Sequence, residues 1–236
     1  MILPAEELPR IIGYEFLRRE LFEEALTHPS ALPAQRRGRR RLTPIRRGNE
    51  RLEFLGDRVL GLVVADCLWR RFEGESEGDL ARRHTHLVRR EALARVADGI
   101  GLGRYLLLSR SEAATGGAAN PGILADACEA LIAAIYLDGG FEAASAFVRR
   151  FWGPLIEEMA DPPRDPKTAL QEWAQARGLT LPIYELVATK GPDHAPLFTV
   201  MASVTGIDPA TATASSKRLA ETRAAAILFA RLAAAQ

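Results

Sequence analysis

The chain has 236 residues, with 47% hydrophobic and 26% charged side chains and a formal net charge of +1, which is typical of a soluble globular protein. Its length suits one large domain, or a mid-sized domain followed by a small one. The apolar stretch near residues 59–65 is too short to span a bilayer.

The N-terminal segment MILPAEELPR has early acids and no basic region before an apolar core, so it does not resemble a signal peptide. The two cysteines, Cys67 and Cys128, are too few for a disulfide framework and are interpreted as reduced packing residues. We therefore expect a cytoplasmic protein with no membrane partner.

Most of residues 6–158 are predicted to be helical, because apolar residues recur there at intervals of three and four. Within this region Trp69 and Trp152 are interpreted as packing anchors. His84 and His86 would point to opposite sides of a helix and are not assigned a metal. No alternating stretch predicts a confident strand, so residues 1–160 are expected to form an all-α domain.

A run of arginines interrupts this pattern. Residues 31–49 contain no acid and seven arginines, namely Arg36, Arg37, Arg39, Arg40, Arg41, Arg46 and Arg47. The rest of residues 1–164 has more acidic than basic side chains. This contrast indicates a polyanion or a cation as partner, and a solvated loop is an equally compatible interpretation of the strip.

Two helical segments carry an unusual density of acids. In NERLEFLGD, Glu50, Glu53 and Asp57 fall on one helix face, and in ILADACEALIAAIYL, Asp126 and Glu129 do the same. Such like charges weaken a helix and raise one another's pKa unless something neutralises them. A divalent cation would do so, and Mg²⁺ prefers hard oxygen ligands. The absence of a histidine or cysteine ligand pattern in the sequence argues against zinc.

Two interpretations of the acids remain open on spacing alone. They form a Mg²⁺ site for phosphodiester hydrolysis, or they are surface residues paired with Arg51 or Arg58. Either pair of acids alone favours the second interpretation, whereas both pairs together in apolar sequence favour the first. Spacing cannot by itself bring Asp57 near Asp126.

The pattern changes after the proline-rich stretch DPPRDP, residues 161–166, which is predicted to be a linker. PKTALQEWAQARG predicts a helix closed by Gly178. PIYELVATK and LFTVMASV alternate with period two and predict strands, and a third strand is expected around residues 210–215.

A closing helix follows these strands in SSKRLAETRAAAILFARLA, with its apolar face at Ala220, Ala224, Ile227 and Leu228. Residues 167–236 are therefore expected to form a small α+β module of order α-β-β-β-α, with one sheet face covered by two helices.

The motifs NERLEFLGD, EEALTHPS and ILADACEALIAAIYLDGG together resemble the bacterial ribonuclease III family. The C-terminal module resembles the double-stranded-RNA-binding domain that follows the nuclease domain there. The resemblance implies an endoribonuclease that cuts double-stranded RNA as a helical homodimer, whose signature helix contributes to the subunit interface. It further implies products with 5′-phosphates and short 3′ overhangs, and processing of ribosomal, messenger and other structured RNA precursors.

Carried over residue by residue, the resemblance implies roles for six acids. Mg²⁺, or Mn²⁺ in its place, would be bound by Glu53, Asp57, Asp126 and Glu129, of which Asp57 and Glu129 would be essential for the chemistry; Glu50 and Glu77 match further acids of the catalytic valley. Phe54 and Leu55 would face the core or the partner subunit. Position 58, often small in the family, is Arg58 here, and we expect it to pair with an acid or to contact RNA.

Four residues of the C-terminal module are candidates for contact with an A-form duplex, which is read through its minor groove and phosphates. They are Gln171 on the first helix, His194 in the GPDHAP turn, and Lys217 and Arg218 at the start of the last helix. Cations at a helix N-terminus oppose the macrodipole unless a phosphate binds there. Ala212 and Ala214 occupy a stretch that commonly contains glycines in the family.

Two other functions are alternatives to the nuclease. One is a protein that binds double-stranded RNA without cutting it, for which the intact set of acids would have no physical use. The other is a helical metal enzyme that acts on small phosphates, which the C-terminal module disfavours.

Overall fold

The computed structural model describes residues 7–32, 48–163, 165–192 and 195–234. The arginines of segment 36–47, His194 and Arg164 of the predicted linker lie outside the described residues. Clustering of contacts divides the chain into two compact units, Met1–Pro163 and Arg164–Gln236. The predicted fold class, an all-α domain followed by a small α+β domain, is confirmed.

The first unit is built from helices. They are α1 (Leu8–Ile12), α2 (Arg19–Ala25), α3 (Glu50–Arg71), α4 (Glu77–Val88), α5 (Arg90–Gly99), α6 (Arg110–Ala114) and α7 (Pro121–Glu157), with short 3₁₀ turns at Pro29–Ala31, Leu102–Arg104 and Gly117–Ala119. The side chains of Ser76 and Asn120 cap the starts of α4 and α7 by accepting backbone N–H groups at 3.2 and 2.8 Å. Side-chain oxygens at this position satisfy donors that the helix itself leaves free.

Helices α3 and α7 form the centre of this unit and make its most extensive contact. Leu60 and Val63 of α3 are buried together with Ala127, Cys128 and Leu131 of α7. Many of the α7 residues at this crossing are small, so the two helix axes can approach closely. This crossing positions the acidic residues described below.

Helix α7, rather than residues 59–65, is the longest apolar segment of the described chain. By length and composition alone it could cross a membrane, but half of its most apolar window is buried within the unit. Its backbone is kinked at Gly140, where φ is 79°. Trp152, fully buried, donates from Nε1 to the carbonyl of Leu87 at 2.8 Å. These are the features of a core helix in a globular domain.

The second unit contains α8 (Pro166–Gln175), β1 (Ile183–Lys190), β2 (Leu197–Ser203), β3 (Ala210–Ala214) and α9 (Lys217–Ala234). The strands form an antiparallel sheet in the order β1-β2-β3, with a register shift between Leu186 and Ala188. The core under the sheet contains Leu170 of α8 and Ala224 and Leu228 of α9, all fully buried.

One expectation for the second unit is wrong, and another is confirmed. Ile227 does not lie on the buried face of α9, since half of it is exposed, while Ala220, Ala224 and Leu228 are buried as predicted. Ala212 and Ala214 lie in strand β3 and pair with Val200 and Phe198 of β2, which agrees with the third strand expected around residues 210–215.

Candidate metal centre and nucleic-acid interface

Three of the predicted acids meet where α3 and α7 cross. Glu53 of α3 and Asp126 and Glu129 of α7 each place one carboxylate oxygen within 4.8 Å of the other two. We call these three residues the carboxylate cluster. All three are partly buried, and more than seventy residues of sequence separate Glu53 from the other two, so tertiary packing alone assembles them.

Gly56 makes this crossing close enough for the cluster to form. A Cβ atom added at Gly56 would overlap the backbone carbonyl of Glu129, so the two helix backbones are in direct contact here. Glycine is the residue that permits such an approach. Sequence reasoning missed this role, although an isolated glycine inside a strongly helical segment is a usable signal for close packing.

The cluster is electrostatically unfavourable without a cation. The pKa of Glu129 is raised to about 7, chiefly by burial and then by the nearby carboxylates of Glu53 and Asp126, with Arg58 and Arg90 partly offsetting the rise. Burial likewise raises the pKa of Glu53 and of Asp126. Hard oxygen donors that repel one another in a partly buried site are a donor set suited to a divalent cation. The cluster is therefore able to bind metal.

Asp57, the fourth predicted metal-binding acid, is not part of the cluster. Its Oδ2 atom instead forms an ion pair with Nη1 of Arg58, the next residue of α3. The expectation that Arg58 pairs with an acid is thus met by its immediate neighbour. The structure brings three of the four acids together, whereas Asp57 is paired with an arginine.

The two further acids occupy different surroundings. Glu50 is the first residue of α3, and its charge helps to raise the pKa of Glu53. Glu77 is the first residue of α4 and is exposed to solvent. Within the described part of the chain, neither belongs to the cluster of three.

Arg90, which sequence reasoning missed, is a second cation beside the cluster. It is the exposed first residue of α5, and its charge lowers the pKa of Glu53, Asp126 and Glu129. A basic residue at a helix N-terminus opposes the macrodipole. The same signal that marked Lys217 and Arg218 could therefore have marked Arg90.

The histidines that are not assigned to a metal make structural contacts. Of the two tryptophans interpreted as packing anchors, one does not have that role. The Nε2 atom of His84 lies 2.9 Å from the carbonyl oxygen of Gly61, so this side chain bridges α4 and α3. His28 lies at the start of a 3₁₀ turn, and its Nδ1 accepts from the backbone N–H of Ser30. Trp152 is the packing anchor expected, but Trp69 is 72% exposed and is not.

The second unit presents three of its four predicted RNA-contacting residues to solvent. Gln171 is exposed on α8, and Lys217 and Arg218 are the exposed first two residues of α9. Ser216 precedes them, and its Oγ accepts the backbone N–H of Leu219 at 3.2 Å. The fourth residue, His194, lies outside the described part of the chain.

Comparison with known families and proteins gives matches along nearly the whole chain. Residues 18–155 match the model of the ribonuclease-III-like family, and residues 166–232 match that of the double-stranded RNA binding motif. Ribonuclease 3 of Dinoroseobacter shibae is 51% identical over 221 residues, which cover 94% of this chain and 92% of the relative. Ribonuclease 3 of Azorhizobium caulinodans is 48% identical, with 93% and 91% covered.

A solved structure is also similar to the first unit. The nuclease domain of ribonuclease III from Campylobacter jejuni is 39% identical, with a TM-score of 0.56, and covers 66% of this chain and 97% of that one. That protein is described as having structural flexibility in a region involved in dimer formation.

Proposed function

The chain belongs to the ribonuclease III family and is an endoribonuclease of double-stranded RNA, and we propose that it cuts the duplex at the carboxylate cluster with Mg²⁺ bound there. The observation that carries this proposal is the meeting of Glu53, Asp126 and Glu129 within 4.8 Å. In this assignment residues 1–160 are the nuclease domain, 161–166 the linker and 167–236 the RNA-binding domain.

Four acids bind the cation in this proposal, and Mn²⁺ can replace Mg²⁺. Glu53, Asp126 and Glu129 would supply oxygens from the cluster, and Asp57, now paired with Arg58, would be the fourth ligand. When bound, the cation would supply an activated water and stabilise negative charge at the scissile phosphate. Asp57 and Glu129 are assigned as the residues essential for the chemistry. Glu50 and Glu77 are assigned as further acids of the valley that receives the duplex.

The RNA-binding domain holds the duplex by its shape and its phosphates. Gln171 can both donate to and accept from a ribose 2′-hydroxyl, and Lys217 and Arg218 offer two charges to a phosphate. His194 is assigned to the neighbouring stretch of minor groove. Because few basic residues are involved, the affinity should depend on salt through few contacts.

The active form is proposed to be a homodimer, with one cluster for each strand of the duplex. Hydrolysis between phosphorus and the 3′ oxygen leaves a 5′-phosphate and a 3′-hydroxyl, and staggered cuts on the two strands leave short 3′ overhangs. Ribosomal, messenger and other structured RNA precursors are the proposed substrates. The two free cysteines, Cys67 and Cys128, agree with a cytoplasmic location.

Cleavage of a long RNA duplex, with Mg²⁺ or with chelator, tests the proposal. We expect Mg²⁺-dependent conversion to short duplexes with 5′-phosphates. Glu129→Gln removes the charge but keeps the shape of the side chain, so it should abolish cleavage, a loss of at least about a hundredfold, while the duplex still binds. The matched control is Glu142→Gln, which alters an exposed glutamate of the same helix and should cut normally.

The same experiment separates the nuclease from the rival binding protein. A duplex whose mobility shifts in a gel, but which is never cut at any Mg²⁺ concentration, would favour a binding protein. Full cleavage by Glu129→Gln would instead contradict the assignment of the site.

A further inference from the structure

Arg58 makes two contacts with side chains of its own helix. Its Nη1 atom forms the ion pair with Oδ2 of Asp57, and its guanidinium carbon lies 5.1 Å from the centre of the Phe54 ring. Both partners belong to α3, so the contacts depend on one helix only. The side chains of Arg58 and Asp57 are 64% and 40% exposed, so this pair can open without disturbing the core.

Asp57 is the member of the proposed metal-binding set that stands apart from the other three. The cluster brings together Glu53, Asp126 and Glu129, whereas Asp57 has a charged partner of its own. A guanidinium at one oxygen of a carboxylate offsets part of the negative charge that the carboxylate can offer to a cation. The guanidinium of Arg58 and a cation therefore compete for the charge of Asp57.

We propose that Arg58 is a positioning residue that competes with the divalent cation for the carboxylate of Asp57. The inference rests on the proposed function, since it takes Asp57 as a metal ligand. Without metal, Arg58 holds Asp57 away from the cluster; with metal, Asp57 turns to the cation. Stacking on Phe54 keeps the released guanidinium beside the site, so it does not return to bulk solvent.

The competition sets how much cation the site needs. An exposed ion pair alters an equilibrium by roughly two- to fivefold. Removing Arg58 also removes a positive charge near the cation, which acts in the same direction. A variant without the arginine should therefore bind the cation more tightly, in contrast to the usual effect of a change beside a metal site.

Binding of Mn²⁺ to the full-length protein without RNA, followed by electron paramagnetic resonance, measures this effect directly. Arg58→Ser should lower the dissociation constant roughly two- to fivefold. The matched control is Arg70→Ser, because Arg70 is exposed on the same helix and pairs with Asp66 at 2.9 Å, three turns away. No change in Arg58→Ser, or an equal change in both variants, would overturn the proposal.

A double-mutant cycle tests whether the effect passes through Asp57. In the Asp57→Asn background the serine variant should tighten Mn²⁺ binding by a smaller factor, because there is no carboxylate left to release and only the loss of the positive charge remains. Tightening by the same factor in both backgrounds would mean that Arg58 acts by net charge alone, and the inference would be wrong.

A different result, the effect of Glu129→Gln on Mn²⁺ binding, decides whether the proposed function itself is wrong. If Glu129→Gln leaves Mn²⁺ binding unchanged, the carboxylate cluster is not the metal site. If Glu129→Gln weakens binding while Arg58→Ser has no effect, the metal site stands and only the competition is refuted.

Discussion

At the scale of single residues, the raised pKa of Glu129 shows that the carboxylate cluster lowers the free energy of unfolding when no cation is bound. Its pKa is raised to about 7, chiefly by burial and then by the charges of Glu53 and Asp126. In the unfolded chain a glutamate titrates near its ordinary value, so between these two values the unfolded state binds fewer protons. The free energy of unfolding therefore falls as pH rises through this interval, and the whole cost is present above it.

This linkage predicts how the metal-free protein responds to Glu129→Gln. In chelator at pH 8 the variant should be more stable than the unaltered protein, by about 1–3 kcal/mol, because the amide carries no charge to bury. Below about pH 3.5 the difference should disappear, since Glu129 is then protonated in both the folded and the unfolded state. Thermal unfolding of both proteins across this pH range is the measurement, and a variant that is less stable at pH 8 would contradict the electrostatic account.

At the scale of elements, the crossing of α3 and α7 is the feature on which the site depends. Gly56→Ala would push a methyl group into the carbonyl of Glu129. We expect a loss of about 2 kcal/mol or more in the free energy of unfolding, because backbone cannot yield as a side chain can. Separation of the carboxylates should also weaken Mn²⁺ binding.

A second glycine of the same helix provides the control for this prediction. A Cβ atom at Gly61 would lie 3.6 Å from Nε2 of His84, which is an ordinary contact. Gly61→Ala should be neutral, or stabilise the protein by up to about 1 kcal/mol through helix propensity. Chemical unfolding of both variants measures the difference, and equal effects would refute the special role of Gly56.

The sequence predicted which segments are helices and strands better than it predicted which of these elements pack against each other. Periodicity identified the helices around the two acidic segments and the three strands, because amphipathic spacing is a local property. It did not reveal the crossing at Gly56 or the cation Arg90, because these depend on which helices touch. The sequence predicted that Arg58 pairs with an acid, but not that this acid is Asp57. Periodicity also placed Ile227 on a buried face, since it does not say how much of a face a neighbour covers.

At the scale of the whole molecule, one face of α3 carries large apolar side chains that the described part of the chain leaves exposed. Phe54, Leu62 and Trp69 are 67%, 59% and 72% exposed. At 100° per residue they fall within an arc of about 80° on the side of α3 opposite its buried residues. An exposed stripe of large apolar side chains is typical of a protein interface.

In the proposed homodimer, this apolar stripe of α3 packs against a second copy of the chain. The face belongs to the helix that carries Glu53, so dimerisation would place the two clusters at a fixed separation. Trp69 fits this account better than it fits a core, because it is a large aromatic residue exposed among other apolar ones. Leu17 is also strongly exposed, at 87%, but lies in the loop between α1 and α2, away from α3 in sequence.

The prediction is that Leu62→Asp weakens dimerisation while the helical domain stays folded. A buried and unpaired carboxylate at the interface costs several kcal/mol, so the dimer should dissociate at least about a hundredfold more readily. Sedimentation equilibrium measures this, with circular dichroism as the check on folding and Leu17→Asp as the control, which should leave the dimer intact. If dissociation turns staggered double cuts into single nicks, each subunit supplies the cut in one strand; a monomer at all concentrations before any substitution would refute the interface.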